Sequence, residues 1–362
     1  MFIRPGFEVY WRKPGESQIG LDPRCALLFD GLDPAEQRLV DRLPAAQSVE
    51  ELRLRGRELG LSNRQTEGLL TRLADTGHLL PEPVEPPAIR SADSMRDPSA
   101  AYWHRATVAG HPRPSDRGNA LVQVRGLGEL GLRIASTLAQ AGVGTVAVTD
   151  ERRVRAEDVG GGLYRPSDVG SVREATALSV LRSVHPMVRT LAAPGARPDL
   201  VIVVDSGVVD PISIRPLVRE DLTHLPVLIR ELDVLVGPLV RPGSEVCLRC
   251  LDLHRCDRDP RWPALATQVA TRPPQGVEPA LGGLAAGFAA HQALAVVDGR
   301  PTTLEGTSAE LSGWDPVPIL RRWPPHPDCG CSPAIFERSP AQRHSAGREG
   351  TPPVGGMLSR PA

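Results

Sequence analysis

The chain has 362 residues, 41 % of them hydrophobic and 23 % charged, with a formal net charge of −1. That length suits two domains, and the near-neutral balance excludes a strong overall field for nucleic acid or anionic lipid. Six cysteines, four of them in close pairs, fit a reducing compartment better than a disulfide framework. The first residues, Met1-Phe-Ile-Arg-Pro-Gly6, hold no apolar signal core and no cleavage site, so a cytoplasmic protein is expected.

Residues 1–82 read as a small module. Phe7 to Trp11 alternates as a strand, Lys13-Pro14-Gly15-Glu16 turns, and Gln18 to Leu21 returns as its hairpin partner. Three helix starts follow: Asp33 with Pro34 and Glu36, Ser48 with Glu51, and Ser62 with Gln65. The last helix carries Leu69, Leu70 and Leu73 on one face and stops at Gly77. A hairpin with three helices is a winged-helix pattern. Reading DNA requires a basic face, yet residues 1–90 contain 12 Arg and Lys against 14 Asp and Glu, so no nucleic-acid partner is expected. Residues 83–116, rich in Pro, Ser and charge, read as a linker on which Tyr102 and Trp103 dock locally.

From Asn119 the pattern changes to alternating strand and helix. Ala120 to Val124 is a strand, Leu130 to Ala141 a helix, and Gly144 to Thr149 a second strand ending at Asp150. Further strands run over Leu200 to Val204, ending at Asp205, and over Pro226 to Leu232. The expected fold class is therefore α/β over 117–331, a doubly wound, mostly parallel sheet. The apolar stretch from Leu281 to Val297 is interrupted by His291 and Gln292 and is too short for a bilayer, so no membrane partner is expected. The tail over 332–362 reads as disordered.

Two sets of residues carry chemistry. Gly126, Gly128 and Gly131 stand between a strand and a helix, where backbone N–H groups and the helix dipole favour phosphate. Asp150 follows Gly131 by 19 residues, at the end of the next strand, where a carboxylate accepts from ribose hydroxyls. Alone, these features fit NAD, FAD and ATP equally, and a tight turn without any ligand fits as well. Cys247-Leu-Arg-Cys250 and Cys329-Gly-Cys331 lie 79 residues apart, a pairing that closes one tetrahedral thiolate site and predicts structural zinc. Cys256 reads as an incidental thiol and Cys25 as core.

With the segment Asp158-Val-Gly-Gly-Gly-Leu-Tyr-Arg165-Pro166 and Asp168-Val-Gly-Ser-Val-Arg173, the order of these motifs resembles the ThiF/MoeB superfamily. The resemblance implies an ATP- and Mg²⁺-dependent fold that adenylates a C-terminal carboxylate, often of a carrier protein, and a homodimer. It assigns Arg165 to the ATP phosphates, places Arg173 where a catalytic lysine is usual and Gly162 where an asparagine is usual, and makes Asp205 the magnesium-associated aspartate. Both departures remove expected phosphate contacts, because arginine does not reproduce a lysine point charge. ATP is therefore expected to bind weakly or not at all. The CxC pair is tighter than the CxxC usual in the family, which leaves His326 or Cys256 open as a replacement ligand.

The N-terminal pattern is similar to the PqqD-like peptide-recognition element. Arg4-Pro-Gly6, Leu32-Asp-Pro-Ala-Glu36 and Leu73-Ala-Asp-Thr-Gly-His-Leu-Leu80 carry that resemblance. It implies that a precursor leader peptide adds as a strand to the hairpin edge and lies against the third helix. Joined to a ThiF-like domain, the chain looks like the ocin-ThiF and cyclodehydratase C-type proteins, which present a precursor peptide to a YcaO-type enzyme. An active adenylyltransferase of a carrier protein or peptide is the alternative, and a nicotinamide oxidoreductase leaves the cysteines unexplained.

Overall fold

A computed structural model describes residues 1–4, 6–43, 48–80, 98–111, 114, 117–244 and 246–331. The expected tail and residues 83–97 of the expected linker lie outside them. The chain divides into two compact units, residues 1–115 and 116–362.

In the first unit, β1 (Phe2–Ile3) pairs antiparallel with β5 (Leu79–Leu80). A three-stranded antiparallel sheet has the order β2 (Val9–Lys13), β3 (Glu16–Ile19), β4 (Leu27–Phe29). The hairpin is tighter than its alternation suggests, since Lys13 pairs with Glu16 and Gly15 takes the left-handed φ of +79°. Helices α1 (Pro34–Asp41), α2 (Val49–Glu58) and α3 (Asn63–Asp75) start at Asp33, Ser48 and Ser62, each side chain accepting from a first-turn N–H. Leu39, Leu52, Leu69, Leu70 and Leu73 close over Phe29 and Ile19 as one core. Within the segment read as a linker, Pro98–Val108 forms helix α4. Proline is favourable in a helix's first turn, and the small and aromatic residues that follow break no helical bond.

The second unit holds a seven-stranded sheet. Its order is β12 (Ile319–Arg322), β11 (Thr307–Ser312), β10 (Asp233–Val236), β9 (His224–Ile229), β8 (Leu200–Ser206), β6 (Leu121–Arg125), β7 (Thr145–Thr149). Strands β7, β6, β8 and β9 are parallel, and β10, β11 and β12 extend the sheet by antiparallel pairing. The strand expected over Pro226 to Leu232 is thus shorter, because the chain turns back after Ile229 into β10.

The two sheet faces follow from alternation. Val122, Val124, Ile202, Val204, Leu225 and Val227 face the main core with α5 (Glu129–Gln140), α6 (Arg173–Val184) and α10 (Pro279–Val297). Val201 and Val203 face the opposite way, onto α7 (Pro211–Arg219) and the start of α8 (Leu248–Arg258), which is followed by α9 (Trp262–Ala270). By length and composition α10 is apolar enough to cross a membrane, and it reaches two residues further than the stretch read from sequence. Its buried alanines pack in the core beside α5 instead.

Candidate functional site

The glycine loop joins β6 to α5 at the C-terminal end of the parallel strands, where ligands bind in open α/β sheets. Gly126 has φ +89°, and a Cβ there would stand 2.1 Å from the Val204 carbonyl oxygen. A Cβ at Gly131 would stand 1.8 Å from the Gly126 carbonyl oxygen. Two of the three glycines are therefore required by close approach of the loop to β8 and α5, whatever the loop binds. Buried Tyr164 donates from its hydroxyl to the Leu127 carbonyl at 2.7 Å and pins the loop, and burial pushes its phenol pKa up.

Asp150 is already engaged. The Leu127 N–H (2.7 Å), the Arg152 N–H (3.0 Å), Arg152 Nε (2.8 Å), Arg152 Nη2 (3.0 Å) and Arg173 Nη1 (3.3 Å) all donate to it. A carboxylate offers about four lone-pair directions, so no free acceptor is left for a ribose. Burial alone would raise its pKa, but the Arg152 guanidinium and the Leu127 N–H outweigh it and hold the carboxyl below its ordinary value.

Arg173, at the start of α6, does not face an open phosphate site. It is 2 % exposed and donates from Nε (3.0 Å) and Nη2 (2.7 Å) to Asp158. Asp158 also accepts from the Arg155 N–H, and its other oxygen lies 3.2 Å from where a Gly128 Cβ would be. Asp205 reaches the same cleft, accepts from the Ser206 N–H at 2.9 Å, and has its pKa raised by burial. Arg165 is exposed and stands outside the cleft lining, with only its backbone N–H donating to Asp168. Gly162 is also exposed and outside the lining, with φ +80° closing a 3₁₀ turn over Ala156–Gly161, a conformation glycine adopts without cost. The triple-glycine turn ends before Arg165, and neither residue lines this cleft.

The cleft lining holds Arg152, Arg155 and Arg173 against Glu129, Glu157, Asp158 and Asp205, and its cavity volume is about 40 Å³. Small-molecule sites usually offer about 300–1,000 Å³. Arg152, which the sequence reading did not single out, and Asp158, which it quoted only as the start of a motif, both line it. The one available signal was the Asp-x-Arg spacing at 150 and 152, which lets the arginine fold back onto the carboxylate.

The four cysteines converge. Cys247 caps α8 and Cys250 lies in its first turn, while Gly330, at φ +66°, folds Cys329 and Cys331 back toward them. The sulfur separations are 3.9 Å for Cys247 to Cys250, 3.4 Å for Cys247 to Cys329 and 3.3 Å for Cys250 to Cys331, and all four sulfurs lie within 4.8 Å of one another. A tetrahedron with Zn–S bonds of ~2.3 Å has edges of ~3.8 Å, so the donor set fits one tetrahedral metal. Hydrogen bonds from neighbouring thiols pull the Cys250 pKa down, and burial pushes Cys329 up to about 12.

His326 lies outside this group. Its Nδ1 accepts from the Asp328 N–H, so Nε2 carries the proton and donates to Asp257 at 2.9 Å. His254, Asp257 and His326 cluster together, but that tautomer leaves His326 no lone pair for a metal. Cys256 is in neither group.

Residues 108–199 match the model of the ThiF family. No curated protein matches the chain. Among solved structures, E. coli MccB crystallised with AMPCPP and selenomethionine MccA is similar at a TM-score of 0.64 and 12 % identity, covering 91 % of this chain and 99 % of that one. The microcin C7 biosynthetic enzyme MccB in complex with N-formylated MccA gives 0.61 and 12 %, covering 91 % and 98 %. Selenomethionine PaaA gives 0.63 and 16 %, covering 88 % and 98 %. At these identities the likeness establishes the fold.

Proposed function

We propose that this chain, which carries a ThiF/MoeB-superfamily domain, is a leader-peptide-binding scaffold that presents a ribosomal precursor peptide to a YcaO-type cyclodehydratase. The observation that carries the reading is Asp150, saturated by the chain's own donors beside a narrow cleft. A domain so occupied has no room to organise ATP and Mg²⁺ through Asp150, Arg173 and Asp205, while its scaffold stays intact. Structural zinc on Cys247, Cys250, Cys329 and Cys331 ties α8 to the C-terminal hairpin. Free thiols elsewhere suit a cytoplasmic location. The MccB structures that hold MccA support a second molecule as partner.

The sheet of the first unit separates two features expected together. The hairpin's outer edge is β2, whereas the strand that meets α3 is β4. Arg72 on α3 donates from Nη2 to the Leu28 carbonyl at 2.7 Å and stacks over Phe29. Gly20 N–H donates to the Glu8 carbonyl, so by antiparallel alternation Gln18 faces β2, and the Leu28 N–H and carbonyl face outward. We place the added strand on β4, against α3, with Arg72 yielding its carbonyl contact. A second copy of the chain fits the edge strand β12 and the turn before it, where Ile319 and Leu320 of the strand and Trp314 and Val317 of the turn are exposed.

Polarisation titration of labelled leader peptides from precursors encoded nearby tests this. Leu28→Pro, which removes the outward donor, abolishes binding, and Val9→Pro on β2 leaves it intact, with folding checked by circular dichroism. Binding lost in Val9→Pro and kept in Leu28→Pro would move the site to the hairpin edge. Binding of a DNA duplex and of no leader would overturn the reading.

A further inference from the structure

The larger cavity of the second unit lies on the other face of the sheet from α5 and α10. It is about 670 Å³, within the usual range for small-molecule sites. Its floor is Pro226 and Leu228 of β9 and Leu235 of β10, the residues that alternate with core-facing Leu225, Val227, Val234 and Val236. Its walls are two helices held apart: Pro211, Ile214 and Val218 of α7 on one side, and Leu248, Leu251 and Arg255 of α8 on the other.

Two features make this more than an apolar gap. Four guanidinium groups line it, from Arg215, Arg219, Arg249 and Arg255, against the single carboxylate of Asp252. Among the described residues Arg215 and Arg249 have no ion pair. A zinc tetrathiolate on the bordering cysteines carries about −2, which still leaves the wall positive. The second feature is His224, fully buried in the lining. Its Nδ1 lies 2.8 Å from the Leu222 carbonyl and donates to it, so Nε2 is a lone-pair acceptor, and it has no partner. A buried acceptor left without a donor is costly, and a ligand N–H or hydroxyl removes that cost.

We infer that this cavity binds an amphipathic carboxylate: an apolar body between α7 and α8, its anionic end on Arg215 and Arg249, and an amide N–H or hydroxyl on His224. The inference is independent of the peptide-scaffold reading, since it uses no residue of the first unit or of the glycine-loop cleft.

Titration calorimetry of the full chain with N-decanoylglycine and with its uncharged carboxamide tests it. N-decanoylglycine binds, the carboxamide binds at least tenfold more weakly, and Arg215→Gln and Arg249→Gln each weaken the acid at least fivefold. Val218→Trp, which fills the space from the α7 side, abolishes binding without lowering the melting temperature. His224→Phe removes the preference for N-decanoylglycine over decanoate. Equal binding of acid and carboxamide, or full binding by Arg215→Gln and Arg249→Gln, overturns the inference. So does the absence of heat from either compound when the chain sediments as a dimer that protects α7 from proteolysis.

Discussion

Arg173 and Asp158 are both buried and bonded to each other by two short contacts. Removing one member of such a pair leaves an uncompensated charge, at a typical cost of about 3–5 kcal/mol. Arg173→Ala is therefore expected to destabilise the second unit by that amount in urea unfolding, whereas Arg165→Ala, at an exposed position, leaves stability unchanged. Asp205 behaves in the opposite sense to Asp150. Its folded pKa is raised, so the cost in stability grows as the pH rises above the ordinary value, is complete above the raised one, and disappears on acidification. Asp205→Asn should melt higher than the parent at pH 7, with the advantage gone below about pH 4, the ordinary carboxylate range. Asp150 is depressed, so its contribution is present above the ordinary value and is lost as the pH falls through the folded one. A melting profile of Asp205→Asn parallel to the parent at every pH would contradict this assignment.

At the scale of elements, what was legible in the sequence is what local chemistry decides. Asp33, Ser48 and Ser62 cap their helices because a short oxygen side chain reaches a first-turn N–H regardless of tertiary context. The four cysteines converge as the spacing of their two pairs suggested, because short paired spacings place two sulfurs on one turn wherever the partner pair comes from. The position of Arg165 was less legible, because it depends on where the triple-glycine turn ends, and glycine runs carry no directional signal. The antiparallel strands β10 to β12 were equally hidden: whether β9 continues or folds back depends on pairing with Thr307–Ser312, remote in sequence. If the four-cysteine cluster holds the proposed zinc, elemental analysis gives one zinc per chain. Metal binding in small zinc-finger peptides is worth ~10–16 kcal/mol, so Cys247→Ser should lower the melting temperature and the zinc content together. Zinc-free protein with an unchanged melt would contradict the zinc assignment.

For the whole molecule, the fold class followed from alternating strands and helices, and the sheet is the α/β arrangement those alternations imply. What sequence could not resolve is whether the glycine loop still serves a nucleotide. Gly126 and Gly131 are demanded by the fold itself, so their presence is compatible with either outcome. The distinction lies in side chains brought together from β7, the 3₁₀ turn and α6: Asp150, Arg152, Asp158 and Arg173, each satisfied by another of the four. A triphosphate entering this cleft must displace those bonds and meet four carboxylates against three guanidinium groups. Titration calorimetry of the full chain with ATP and Mg²⁺ is the most direct test. The closed network gives no binding tighter than millimolar and no pyrophosphate exchange; micromolar affinity accompanied by exchange would show that the network opens and that the domain is a working adenylyltransferase.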